Sequence, residues 1–247
     1  MAVDENRRPI SQRAHGWAKW LTRVLVKSGV SPNFISFTSM VFAALAGLCF
    51  YAIGARMTPL PSFVLCLGAA LFCQLRLLAN MMDGMVAVEA GKASKDGMIW
   101  NELPDRFADI AVLVGAGYGV AALAEVDPWF DALIHRYSPI GADALGWAAA
   151  VAAVMTAYVR EVGRAAGAPA DFSGPMAKPH RMFVMTMAAL IAASAPLWGG
   201  PHPLFFSSND SAEMGHVIHI ALWIVLIGSI FTALNRARRA LVFLNKN

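Results

Sequence analysis

Charge is scarce in this chain: Asp, Glu, Lys and Arg make up 15% of its 247 residues, where soluble domains run near a quarter. With 57% apolar residues and a mean hydropathy of +0.53, a water-soluble globule is excluded, because the chain cannot hide that much apolar surface in water. Cysteine is sparse too. Cys49, Cys66 and Cys73 all fall inside apolar runs without CxxC or paired spacing, which excludes a disulfide framework and a zinc site. His15, His135, His202, His216 and His219 show no ligand spacing joined to acids. No strand precedes Gly115, Gly117 and Gly119, so they read as close helix packing rather than a nucleotide loop. An apolar leader is missing as well: the chain opens on the polar stretch Asp4 to Arg8, and the expectation is that it keeps its own N-terminus.

What the chain has in quantity is helix-length apolar sequence. Runs near Phe34 to Ile53, Pro61 to Met82, Ile110 to Ala124, Leu145 to Val159, Phe183 to Leu197 and Val217 to Leu234 each approach or reach the length that crosses hydrocarbon. The expected fold is all-α, an integral membrane bundle of six transmembrane helices over residues 33–247, forming a single membrane domain across residues 1–247. Ahead of it, Trp17, Trp20, Leu21, Val24 and Leu25 repeat at three- and four-residue spacing, with Arg13, Lys19, Arg23 and Lys27 between them. This predicts an amphipathic surface helix over residues 11–28, its cations toward anionic lipid. Packing against the floor of the bundle is the alternative, and the two are compatible.

The loops between runs alternate in charge. Those near 54–61, 124–144 and 198–216 carry Arg56 and Arg136 against Glu125, Asp127, Asp131, Asp143, Asp210 and Glu213, whereas the other set holds Lys92, Lys95, Arg164, Lys178, Arg181, Arg236, Arg238 and Arg239. The positive-inside rule then puts both termini in the cytoplasm.

The end of the second run and the start of the third hold polar residues that an apolar span has no use for. Asn80, Asp83 and Ala87 lie at i, i+3 and i+7, while Asn101, Asp105 and Asp109 follow i, i+4 and i+8. Each set shares one helix face. An ionisable group at the centre of a membrane helix costs about 3 kcal/mol, so this cluster calls for water, a partner or a metal. Oxygen donors from two facing helices suit a hard cation such as Mg2+ that keeps open positions for phosphates. Gly84 and Gly97 lack side chains, so a phosphate could approach the backbone there. Pro104 frees the carbonyl of Trp100 if the helix runs through it. The plainer alternative is that these residues only hydrogen-bond helices to one another.

The order Asn80, Asp83-Gly84, Ala87-Val88, Gly97, Asn101, Asp105 resembles the signature of the CDP-alcohol phosphotransferases: Asp, two residues, Asp-Gly, two residues, Ala-Arg, eight residues, Gly, then two Asp at intervals of four. Ser31-Pro32-Asn33 and the six-run hydropathy extend the resemblance along nearly the whole chain. Asn80 and Asn101 stand where the family has Asp, and Val88 where it has Arg. The resemblance implies divalent metal, Mg2+ or Mn2+, held at the positions of Asn80, Asp83, Asn101 and Asp105. It also implies Asp105 as the base that deprotonates the acceptor, and contacts of Asn33, Gly84, Ala87 and Gly97 with the nucleotide donor. The two amides retain oxygen ligands but remove two negative charges, which predicts a single or weaker metal. Arg76, Lys92, Lys95 and Arg106 are the candidates to replace the missing arginine.

The implied reaction is transfer of a phospho-alcohol group, with phosphatidyl transfer from CDP-diacylglycerol the first expectation, to a polar, anionic hydroxyl acceptor with release of CMP. Arg160, Lys178 and Arg181 are the expected acceptor-binding cations, although cations at cytoplasmic helix ends are also what topology demands. Arg236, Arg238 and Arg239 read as topology and lipid contacts. A homodimer in the bacterial inner membrane, in contact with membrane lipids and with no nucleic-acid partner, completes the expectation. The rivals are a member that binds nucleotide or lipid without turnover, and a transporter.

Overall fold

The computed structural model describes residues 13, 15–55, 60–91, 97–198 and 210–246. Within them the chain is helical without a strand: α1 (Gly16–Lys27), α2 (Pro32–Ala55), α3 (Ser62–Glu89), α4 (Gly97–Val126), α5 (Pro128–Tyr137), α6 (Ala142–Ala165), α7 (Lys178–Ala193), α8 (Ala195–Trp198) and α9 (Asp210–Leu244). Among the described residues, five segments are long and apolar enough to cross a membrane: Pro32–Ala55, Ser62–Glu89, Glu102–Val126, Ala142–Ala165 and Met214–Leu244. Residues such as Leu48, Leu71, Val151, Ile227 and Phe231 are more than half exposed on them, as an integral membrane protein requires. The fifth apolar run is divided. The 16 residues of α7 rise about 24 Å at 1.5 Å per residue, less than the roughly 30 Å of hydrocarbon, and α8 follows after Ser194.

Small residues set how the bundle closes. A Cβ on Gly115 of α4 would stand 2.3 Å from the carbonyl oxygen of Gly47 on α2, and one on Gly47 would stand 2.1 Å from that of Ala111. Gly117 meets Gly146 of α6 in the same way, at 2.8 Å from its Cα. The helix axes therefore approach backbone to backbone, where dispersion contacts take over the role that hydrophobic burial has in water. This close seam fixes α2, α4 and α6 against one another. It leaves α3 and α7 to bring polar side chains against α4.

α1 docks on α3. Ala18 and Thr22 are buried there, and the Thr22 hydroxyl donates to the Ala18 carbonyl at 2.8 Å, with the Met82 sulfur 3.8 Å away. Trp17, Trp20 and Val24 stay exposed on the other side of the helix. Gly115, Gly117 and Gly119 prove to be packing positions, as their lack of a preceding strand predicts.

Candidate active site

The polar cluster lies where α3 and α4 run side by side, closed by the first turn of α7. On α3, Arg76, Asn80 and Asp83 occupy successive turns of one face, and on α4 Asp105 and Asp109 do the same. Asp83 is 3% exposed and Asp105 is 5% exposed, so both carboxylates are withdrawn from bulk solvent. The helix does run through Pro104, whose missing N–H leaves the Trp100 carbonyl without its intrahelical donor.

Each carboxylate has distinct company. Asp83 accepts a hydrogen bond from the Ser36 hydroxyl of α2 at 2.8 Å and another from the Gly84 amide. Asp105 accepts the side-chain amide of Asn80 at 3.0 Å and the Lys178 ammonium. Guanidinium groups of Arg76 and Arg106 stand 3.6 and 3.8 Å from it. Lys178 also donates to the Asn80 side-chain oxygen. The ammonium, the amide and the carboxylate thus form a closed ring of three hydrogen bonds.

One turn deeper, Asp109 is fully buried and is paired twice, with Arg181 at 2.6 Å and Arg76 at 3.1 Å. Arg181 also donates to the Thr156 hydroxyl at 3.1 Å and the Met176 carbonyl at 2.8 Å. Such a cluster is tolerated in hydrocarbon because the opposite charges attract at close range and Arg181 finds further oxygen acceptors, although Nε of both arginines and Nη1 of Arg76 have no partner among the described residues.

Of the predicted residues, Asn80, Asp83, Asp105 and Lys178 come together. Asn33, at the start of α2, lies one turn before Ser36, while Gly84 and Ala87 continue the same end of α3 and Gly97 begins α4. Asn101 belongs to α4, but its side chain lies outside the described residues, as do Lys92 and Lys95. Val88 is exposed. The three expected acceptor cations stand in three settings: Lys178 in the ring, Arg181 on buried Asp109, and Arg160 bound to Glu102 at 2.5 Å and Glu161 at 2.9 Å while lying over the Phe172 ring.

Arg160 also lines a cavity of about 320 Å3, with Val159, Asp171, Arg236, Arg239 and Phe243 among its other walls. Arg236 was expected at the lipid surface and is instead 4% exposed, donating to the carbonyls of Thr156 at 2.7 Å and Ser173 at 2.9 Å. Arg239 pairs with Asp171 at 2.7 Å. Burial alone would raise the Asp171 pKa. The Ser173 hydroxyl and amide, then Arg239 and Arg236, outweigh that and hold it below the usual carboxylate range.

The donor set suits one hard cation better than two. Asp83 offers a carboxylate whose described partners are neutral, and a divalent ion there could complete its shell with water and ligand oxygens. Asp105 is already matched by cationic side chains. No three His, Cys, Asp or Glu side chains gather as a metal centre among the described residues.

No family model matches the chain. The phosphatidylinositol phosphate synthase of Mycolicibacterium smegmatis is 22% identical over 220 residues, 87% of this chain and 80% of that protein. The Corynebacterium glutamicum protein of the same name is 26% identical over 217 residues, again 87% of this chain and 80% of its own length. Among solved structures, Mycobacterium tuberculosis phosphatidylinositol phosphate synthase with CDP-DAG bound superposes with a TM-score of 0.62 at 17% identity, over 89% of this chain and 91% of that one. The same enzyme in complex with manganese and citrate gives 0.61 at 16% identity, over 89% and 87%. These structures show a shared fold, and the resemblance to the CDP-alcohol phosphotransferases read from the motif is borne out by relatives named phosphatidylinositol phosphate synthases.

Proposed function

We propose that this chain is a membrane transferase that moves a phosphatidyl group from CDP-diacylglycerol to the hydroxyl of a polar, anionic acceptor, releasing CMP. The observation that carries the reading is the meeting of Asn80, Asp83 and Asp105 on adjacent helices at the spacing of the family motif, in a chain whose relatives are named phosphatidylinositol phosphate synthases along most of its length.

In the reaction, the acceptor oxygen attacks the β-phosphorus of the donor, the bond to CMP breaks, and the hydroxyl proton passes to Asp105. Lys178 and Arg106, beside that carboxylate, hold phosphate oxygens in place. A divalent cation, Mg2+ or Mn2+, at Asp83 would neutralise diphosphate charge and stabilise departing CMP; the manganese complex of the structural relative supports the use of a divalent ion. Gly84, Ala87 and Gly97 keep the backbone open to the nucleotide, with Asn33 at the mouth. The cavity bounded by Arg160, Arg236 and Arg239 takes the anionic acceptor, since guanidinium groups match phosphate in two-point contact.

The bundle carries six spans, with α7 and α8 together forming the short fifth one beside α3. It constitutes one membrane domain over the chain and functions as a homodimer. The exposed Trp17 and Trp20 of α1 lie at the lipid interface, with the cluster and both termini on the cytoplasmic side of the bacterial inner membrane, as the basic loops support. The acyl chains of the donor enter between helices while its nucleotide stays in water.

A second reading, binding without turnover, draws on the company of Asp105: Lys178, Asn80, Arg76 and Arg106 compete with an acceptor hydroxyl for that carboxylate. CMP release separates the two. Purified protein in lipid with Mg2+ or Mn2+ is given CDP-diacylglycerol and a panel of polyols and their phosphates. Transfer predicts CMP release that falls by about 10²–10⁴-fold in Asp105→Asn, the range for loss of a general base. Metal-dependent CDP binding with no CMP from any pair would establish the second reading.

A further inference from the structure

The ring of Lys178, Asn80 and Asp105 explains the amide at position 80 by its chemistry. Asn80 accepts from the Lys178 ammonium with its oxygen and donates to Asp105 with its nitrogen. A carboxylate at that position could accept but not donate. It would face Asp105 as a second negative charge across one ammonium. The amide is therefore matched to a lysine, in a way that an acid would not be.

The position of the ammonium is equally specific. It sits at α7's first residue, is reached from α3 and α4 at once, and lies within electrostatic range of Asp83 as well as Asp105. Oxygens of two side chains converge on it, as they would on a small metal ion. Asp83, by contrast, meets the Ser36 hydroxyl and the Gly84 amide, both neutral.

We propose that Lys178 is a fixed, protein-borne cation occupying one half of this site, so that a divalent ion binds at Asp83 alone and the diphosphate of the ligand is held between that ion and the lysine ammonium. This rests on the reading of the cluster as a site for a CDP-linked donor, and it assigns Asn80 the role of positioning the ammonium. The amine also supplies a charge that chelators cannot remove, so affinity for diphosphate persists in part without metal.

The test counts Mn2+. The full chain in nanodiscs is titrated with Mn2+ alone, free ion being read by electron paramagnetic resonance, and CDP binding is measured with and without EDTA. Wild type is expected to bind one Mn2+ per chain and to retain CDP binding in EDTA. Lys178→Met opens Asn80 and Asp105 to a second equivalent and abolishes metal-free CDP binding, and adding Asn80→Asp tightens that second equivalent about tenfold or more, as a charged ligand should. Two Mn2+ bound by wild type would overturn the proposal without recourse to any variant. So would a count that stays at one in Lys178→Met and in Lys178→Met with Asn80→Asp, each verified as folded by gel filtration. CMP release is scored separately: turnover with two Mn2+ per chain sinks this proposal and leaves the transferase standing, whereas one Mn2+ per chain without turnover does the reverse.

Discussion

Asp109 offers the sharpest test of how the bundle is held together. Its carboxylate is fully buried and pairs with two guanidinium groups, Arg181 at 2.6 Å and Arg76 at 3.1 Å. Asp109→Ala leaves Arg181 in the interior without its counterion and Arg76 with only the more distant Asp105, 3.6 Å away, and two nitrogens of Arg76 already have no hydrogen-bond partner among the described residues. Removing one member of a buried ion pair costs about 3–5 kcal/mol. At roughly 2–4 °C per kcal/mol for a chain of this size, the melting temperature falls by about 6–20 °C. The assay is thermal unfolding of detergent-purified protein followed by loss of the monodisperse gel-filtration peak. Asp109→Asn, which keeps an oxygen toward one arginine, falls less. A melting temperature for Asp109→Ala within 2 °C of wild type would refute the reasoning, since it would mean that the arginines find water or other partners at no cost.

Three other perturbations probe separate parts of the structure. Gly115→Leu drives a side chain into the backbone of Gly47, which a Cβ alone would approach to 2.3 Å at its carbonyl oxygen; overpacking of this kind costs about 1–3 kcal/mol, read as lower folded yield and a lower melting temperature. Ser36→Ala removes the hydroxyl that orients Asp83 and is expected to weaken Mn2+ binding about tenfold, with unchanged affinity counting against a cation at Asp83. Asp171 has a folded pKa held below its unfolded value, so it stabilises the fold above an unfolded pKa of about 3.9, and that contribution is lost as pH falls through the lower folded value. Solvent screens the pair with half-exposed Arg239, which limits the effect to below about 1 kcal/mol; Asp171→Asn should match wild type at the acid end of a melting series and fall short of it near pH 6.

Several features of this protein follow from residues near one another in the chain. Apolar runs of near-membrane length predict helices whatever surrounds them, because every backbone group in hydrocarbon must be paired within its own segment. Spacing at i, i+3 and i+4 puts Asn80 with Asp83 and Asp105 with Asp109 on their faces before any packing is known. The family signature depends on that same local spacing, which is why it is legible despite two amides and a valine. Gly115 and Gly117 announce close approach through their missing side chains.

Pairing across helices was beyond that reach. Arg160, Lys178, Arg181 and Arg236 all appear in the sequence as cations near helix ends, and nothing local distinguishes one that points to lipid from one that points inward. In the structure Lys178 meets Asn80 and Asp105, Arg181 meets Asp109, and Arg236 turns into the interior against two carbonyls. The division of the fifth apolar run at Ser194 is likewise absent from hydropathy, which averages over the break. Sequence by itself determined the helices, their apolar faces and which polar residues were out of place in a membrane. Only the tertiary structure decided which charge answers which, because a Coulomb interaction depends on the distance and dielectric between two groups, and both are set by how distant segments pack.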